Sequence, residues 1–172
     1  GVAKFSILSE STGAIYALAT AAACKKAAQN LFLLSPFIAL KELLPLFTNG
    51  AQLEQIYGFL RNASIDEAVA ATKNMYTNAS PTMLRLVEPQ IEGIGFDSWM
   101  QARPLGFEIG KIEQNSIVWR SKEDKEAPFE AALQISKILP RCELIGSNDM
   151  HGGQKAILGF LEAIKKKFNN NA

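Results

Sequence analysis

The sequence predicts an α/β fold: a parallel sheet with helices on both faces and a helical insertion between its second and third strands. Three observations carry this reading. Short apolar runs alternate with longer stretches of helical spacing. The apolar runs are bounded by Ser, Pro, Asn or Gly. Residues 40–105 show helical spacing with no strand pattern, in the middle of an otherwise alternating chain.

Taken in order, residues 2–8 read as a short strand and residues 14–30 as an alanine-rich helix with Ile15, Leu18 and Ala22 on one face. Residues 31–34 are all apolar and stop at Ser35-Pro36, which suits a strand covered on both faces. In the insertion, Leu43, Leu44, Leu46 and Phe47 are followed by Leu53, Ile56, Tyr57 and Leu60 at helical spacing. Asn62-Ala63-Ser64 breaks that pattern, and Asp66-Glu67 open a second helix through Met75. A third helix is predicted over 81–88, and Gly93, Gly95, Pro104, Gly106 and Gly110 punctuate the remainder. Residues 116–120 form a strand, 126–139 a helix stopped by Pro140, and 141–145 a strand. The last helix is predicted over 154–168, with Lys165, Lys166 and Lys167 at the end where the helix dipole favours cations. Residues 169–172 read as a frayed, disordered tail.

Composition narrows the class. The chain has 172 residues, 48% of them hydrophobic and 20% charged, which suits a soluble domain with a sizeable core. A net charge of +1 gives no electrostatic footprint for nucleic acid or an anionic membrane. No apolar run reaches the roughly 18 residues of a membrane span, and no cleavable leader is visible, so the expected location is cytoplasmic. Cys24 and Cys142 read as buried free thiols in a reducing compartment. With one His and two scattered Cys, the sequence offers no metal site and calls for no cofactor. The triplets Asn62-Ala63-Ser64 and Asn78-Ala79-Ser80 match the glycosylation pattern, which arises often by chance. The first residue is Gly rather than Met, so a further stretch of native chain is expected before residue 1.

The chemistry centres on Ser-Glu-Ser-Thr-Gly, residues 9–13, where the first strand stops and the alanine-rich helix begins. A serine on so tight a strand-to-helix turn has its hydroxyl pushed out above the sheet, and the turn needs small residues two before and two after it. Ser9 and Gly13 are those small residues, and Ser11 is the one on display. The Thr12 N–H, at the helix start, is placed to donate to a developing oxyanion. The bland alternative is a helix cap at Ser11 with no chemistry. A serine nucleophile needs a base and a carboxylate to orient that base. The only histidine, His151, lies in the loop after the last strand, and Asp124 lies just past the third strand. Parallel strands bring the three loops to one edge of the sheet. Asp149 competes with Asp124 but stands only two residues before His151, poorly placed to hold the far side of the ring; Glu123 is a further candidate.

In these segments the chain resembles the α/β-hydrolase family. "SILSESTGAIYALATAA" is similar to its nucleophile elbow and following helix, and "LFLLSPF" to the next strand and the turn into the lid. "IVWRSKEDKEAP" resembles the strand that carries the acid, with Asp124 and Pro128 spaced as Asp-x-x-x-Pro, and "ILPRCELIGSNDMHGG" resembles the last strand and the histidine loop. The order Ser, Asp, His along the chain is the family's order. The family's usual elbow is G-x-S-x-G, and here Ser9 takes the first glycine's place. The resemblance implies Ser11 as nucleophile, His151 as general base and acid, Asp124 as orienting carboxylate and Thr12 as one oxyanion donor. It implies residues 1–36 and 112–168 as the two parts of the core and 37–111 as a helical cap. The N-terminal strands of the family, and the loop that gives the second oxyanion donor, have no counterpart in this sequence. Either they are supplied from elsewhere or the sheet edge and apolar face they would cover invite self-association.

The resulting expectation is a serine hydrolase of an ester, thioester or related acyl bond, acting through an acyl-enzyme on a small-molecule substrate. The cap's Phe47, Tyr57, Phe59, Met75, Met83, Phe96 and Trp99 would favour an apolar acyl or alkyl group, or form the cap's own core. The alternatives are acyl transfer by the same triad, and a non-catalytic binding module or inactive fragment of the same fold.

Overall fold

The structure is a computed structural model and describes residues 2–124, 128–148 and 154–169. Four strands, β1 (Phe5–Glu10), β2 (Ala28–Leu34), β3 (Asn115–Ser121) and β4 (Cys142–Ser147), pair in the order β1-β2-β3-β4, every pair parallel. Because the order advances in one direction, right-handed crossovers put the connecting helices on one face. Helix α1 (Ala14–Ala23) joins β1 to β2. Between β2 and β3 stand α2 (Gly50–Leu60), α3 (Ile65–Met75), α4 (Pro81–Val87) and α5 (Ile91–Gln101). Helix α6 (Phe129–Ile138) joins β3 to β4, and α7 (Gln154–Asn169) follows β4.

Side-chain alternation along the strands builds two cores. Leu31, Leu33 and Val118 point to the face covered by Ala14, Ala17, Leu18 and Ala21 of α1 and Ala131, Ala132 and Ile135 of α6. Phe32, Leu34, Ile117 and Trp119 point the other way, to Ala156, Phe160 and Ile164 of α7. The small alanines of α1 and α6 let those helices lie close on the sheet. The helices therefore cover both faces, as the strand–helix alternation predicts. Among the described residues no strand pairs with the outer edge of β1, where Leu8, beside Phe32 in register, is 55% exposed.

Several boundaries differ from the sequence-based expectation. The alanine-rich helix ends at Ala23, with Cys24 as its C-cap, not at residue 30. Helix propensity favours 24–30, but the parallel ladder takes the chain from Ala28 onward, and Asn30 Nδ2 donates to Ser6 Oγ across it at 3.0 Å. The first strand is shifted to Phe5–Glu10 and so runs directly into the serine turn. The last strand reaches Ser147, and Asn169 belongs to α7; the remainder of the expected tail lies outside the described residues. Leu44–Leu46 form a single 3-10 turn around Pro45 rather than helix. Cys24 and Cys142 are free but half-buried rather than buried, and burial pushes the Cys142 thiol up to about 11.

Helix α5 runs through Gly93 and Gly95, which read in the sequence as loop signals. Gly95 has a packing reason instead: a Cβ there would stand 2.7 Å from Val69 Cα of α3. That close approach makes the α3–α5 contact a tight joint of the insertion. Gly95→Ala is expected to cost about 1–3 kcal/mol in urea unfolding, the usual range for overpacking. Gly93→Ala, with nothing within 4 Å of the added carbon, is expected to be neutral or stabilising. Equal effects from the two would show that the α3–α5 joint is loose. Both Asn-Ala-Ser triplets also acquire a structural reason. Ser64 caps α3 in a capping box with Glu67, and Ser80 caps α4 by accepting from Met83 N–H.

Candidate active site

The site is built on the carboxyl edge of the sheet. Glu10, Leu34, Trp119 and Ile145 stand in register across the four strands, so the turns that follow them lie on one edge. After β1 the chain makes one 3-10 turn, Ser11–Gly13, and enters α1 at Ala14. Ser11 has φ 51°, in the left-handed region that costs a side-chain-bearing residue on the order of 1–2 kcal/mol. An ordinary N-cap residue has extended backbone. Ser11 is therefore not an N-cap; it sits at the apex of the tight turn, as the elbow reading requires.

Ser9 and Gly13 flank that apex, and a Cβ on Gly13 would lie 3.6 Å from Ser9 Cβ, an ordinary contact. The turn thus needs small side chains on both sides but leaves room for alanine at 13. Thr12 lies within the first turn, where helical N–H groups lack intrahelical acceptors. The Ser11 carbonyl accepts from Phe37 N–H at 3.0 Å, which ties the turn to the segment leaving β2. Ser11→Gly is expected to raise the unfolding free energy by about 1 kcal/mol, because glycine enters the left-handed region without the Cβ clash. Thermal unfolding checks this, and a lower midpoint would mean that the Ser11 side chain stabilises the turn.

Asp124 follows β3 on the same edge. Its side chain is 6% exposed, and its Oδ2 lies 3.3 Å from a guanidinium nitrogen of Arg120, itself 1% exposed. Burial lowers the Arg120 pKa and the Asp124 charge opposes that fall. Arg120 is the signal that reading by pattern passed over: an arginine inside "IVWRS" is a charge in a buried strand and calls for a partner. Glu123 N–H donates to Ser121 Oγ at 3.1 Å. Ser35, one residue past β2, is a second residue that the sequence pattern did not single out. It is fully buried with φ 46°, and its hydroxyl finds no partner among the described residues.

One strand, β2, separates the Ser11 turn from the Asp124 turn. At 4.7–4.9 Å per strand the two turns are about 10 Å apart. That span suits an imidazole with a hydrogen bond at each end, about 8 Å from acceptor to donor. His151 and its competitor Asp149 lie outside the described residues. Helix α5 is tied to the same region: Tyr16 OH, one turn into α1, donates to Asp97 Oδ1 at 2.5 Å. Burial first, and then Asp97, push the Tyr16 phenol up to about 12. Of the apolar residues of the insertion, Phe47 and Tyr57 are buried in its packing, and Trp99 donates to the Ala63 carbonyl. Phe59, Met75, Met83 and Phe96 are 42–65% exposed. No His/Cys/Asp/Glu cluster fit for a metal ion occurs among the described residues. Among them, too, no helix is long and apolar enough to cross a membrane.

The chain is a parallel sheet with a tight serine turn after β1 and a buried carboxylate after β3, and comparison with solved structures places its fold among the α/β hydrolases. A meta-cleavage product hydrolase of Pseudomonas fluorescens superposes with a TM-score of 0.58 at 16% identity, over 99% of this chain and 66% of its own. An α/β-hydrolase enzyme from the metagenome of Mar Chica lagoon sediments gives 0.63 at 12% identity, over 99% and 64%. A thermophilic esterase from Thermogutta terrifontis gives 0.58 at 15%, over 98% and 65%. The chain has the α/β-hydrolase fold, and spans about two thirds of the length of the structures it matches. No protein-family model and no curated protein matches the sequence.

Proposed function

We propose that this chain carries the catalytic serine of a hydrolase that cleaves an ester, thioester or related acyl bond. The observation that supports it most is Ser11 held at φ 51° between β1 and α1, on the same sheet edge as the buried Asp124. A strained serine at an exposed sheet edge has no packing reason, whereas a nucleophile does. In this reading His151 takes the Ser11 hydroxyl proton as the oxygen attacks the substrate carbonyl. The tetrahedral oxyanion accepts from Thr12 N–H. The proton passes from His151 to the leaving alcohol or thiol as the acyl bond breaks. Water, deprotonated by the same imidazole, then releases the acid and restores Ser11. Asp124 holds the ring and stabilises its charged form. Helices α2–α5, tied to α1 through Tyr16 and Asp97, act as a cap whose exposed Phe59, Met75, Met83 and Phe96 favour an apolar substrate group.

The test is covalent labelling of the chain with a fluorophosphonate, read by intact mass, with Ser11→Ala as control. One adduct, absent from Ser11→Ala, is expected. A folded chain that takes no adduct, alone or with the N-terminal portion of a longer parent restored, sinks the serine assignment. It would leave a non-catalytic binding module of the same fold.

A further inference from the structure

We propose that Arg120 is a positioning residue: it anchors the carboxylate of Asp124, the candidate triad acid, at the carboxyl edge of the sheet. This rests on the reading of Asp124 as the triad acid. Arg120 occupies the last turnward position of β3 but one, in register with Gly146 of β4. Val118, two residues before it, points into the core beneath α1 and α6, so alternation aims Arg120 to that same face at the carboxyl edge. A guanidinium 1% exposed is not placed there for packing; it carries a desolvation cost that a nearby anion must offset. Its charge lies 3.3 Å from Oδ2 of a carboxylate that is itself 6% exposed. The pair is closed over four residues, so it also fixes how the chain turns out of β3 toward α6. The other charged groups of the described elements at this edge are Glu10 at the end of β1, Lys122 and Glu123 in the same turn, Glu130 in the first turn of α6 and the exposed Lys155 in the first turn of α7. Lys122 runs along β4, where a Cβ on Gly146 would meet its side chain at 2.5 Å. Arg120 alone of these is a buried cation, and its buried counter-charge is the candidate acid.

The chain holds a single histidine, so its ring-proton resonance titrates without overlap and needs no turnover. Asp124→Asn is expected to lower the His151 midpoint by about one pH unit, since a facing carboxylate favours the imidazolium. Arg120→Gln is expected to lower it by a similar amount, and to change nothing further in the Asp124→Asn background. The sign is the discriminating feature. Loss of a nearby cation alone would raise the midpoint, whereas a carboxylate that has lost its anchor lets it fall. A rise or no change in folded Arg120→Gln, with Asp124→Asn still effective, overturns the role of Arg120. No change in Asp124→Asn overturns the acid assignment and this proposal with it, a different result from the first. Should Arg120→Gln fail to fold, Arg120→Lys decides. It keeps the charge but lacks the guanidinium fork, and a midpoint between those of wild type and Asp124→Asn is expected, while a wild-type value overturns the proposal.

Discussion

Asp124→Leu is expected to lower the unfolding free energy by about 3–5 kcal/mol, the range for removing one partner of a buried ion pair. The reason is asymmetry rather than the strength of the bond. Arg120 is 1% exposed, and its guanidinium keeps its proton at any pH the fold tolerates, so it cannot escape by neutralising. Leucine leaves that charge in the core beneath α1 and α6 with its Asp124 counter-charge gone. The double variant Arg120→Met/Asp124→Leu is therefore expected to recover most of the loss, because two apolar groups of similar volume replace both charges together. Urea unfolding of the four chains closes the cycle. A loss below about 1 kcal/mol in the single variant would place the pair in the solvent-screened class of surface bridges and contradict its burial.

This pair also marks how far the sequence could be read. The tight strand-to-helix turn at Ser11 was legible because its requirement is local: small residues at 9 and 13, an apolar strand before and alanines after are all neighbours in the chain. The parallel order of the sheet was legible because apolar runs such as 31–34 and 117–119 are covered on both faces in any such fold. Reasons that lie in tertiary contacts were not legible. Gly95 looks like a loop residue until Val69 of α3 is seen against it. Residues 24–30 look helical until the ladder with β1 and β3 claims them from Ala28. Ser35 looks like a strand terminator until its left-handed backbone and full burial are seen. Arg120 looks like a break in a strand until Asp124 turns back to meet it. In each case the sequence carries the residue but not the neighbour that explains it.

Ser11→Ala and His151→Ala are each expected to abolish most of the reactivity, and the two losses are expected not to add. A nucleophile without its base, or a base without its nucleophile, leaves only binding and oxyanion stabilisation, so each single variant falls by about 10⁴–10⁶-fold and the double falls no further. The readout is the hydrolysis rate of an activated aryl ester by the labelled-competent chain, with the rate of fluorophosphonate capture measured beside it. Asp124→Asn is expected to fall less far than either, since its role is to orient and stabilise the ring rather than to exchange protons or bonds. The oxyanion side gives an independent check. Thr12 contributes a backbone N–H, so Thr12→Ala should leave the rate within a few-fold, whereas Thr12→Pro removes that donor and also disfavours the left-handed Ser11 before it, so it should lower the rate by at least about 10²-fold. A Thr12→Pro chain that folds and reacts at the wild-type rate would move the oxyanion site away from the elbow, and additive losses at Ser11 and His151 would mean that the two residues do not work on the same proton.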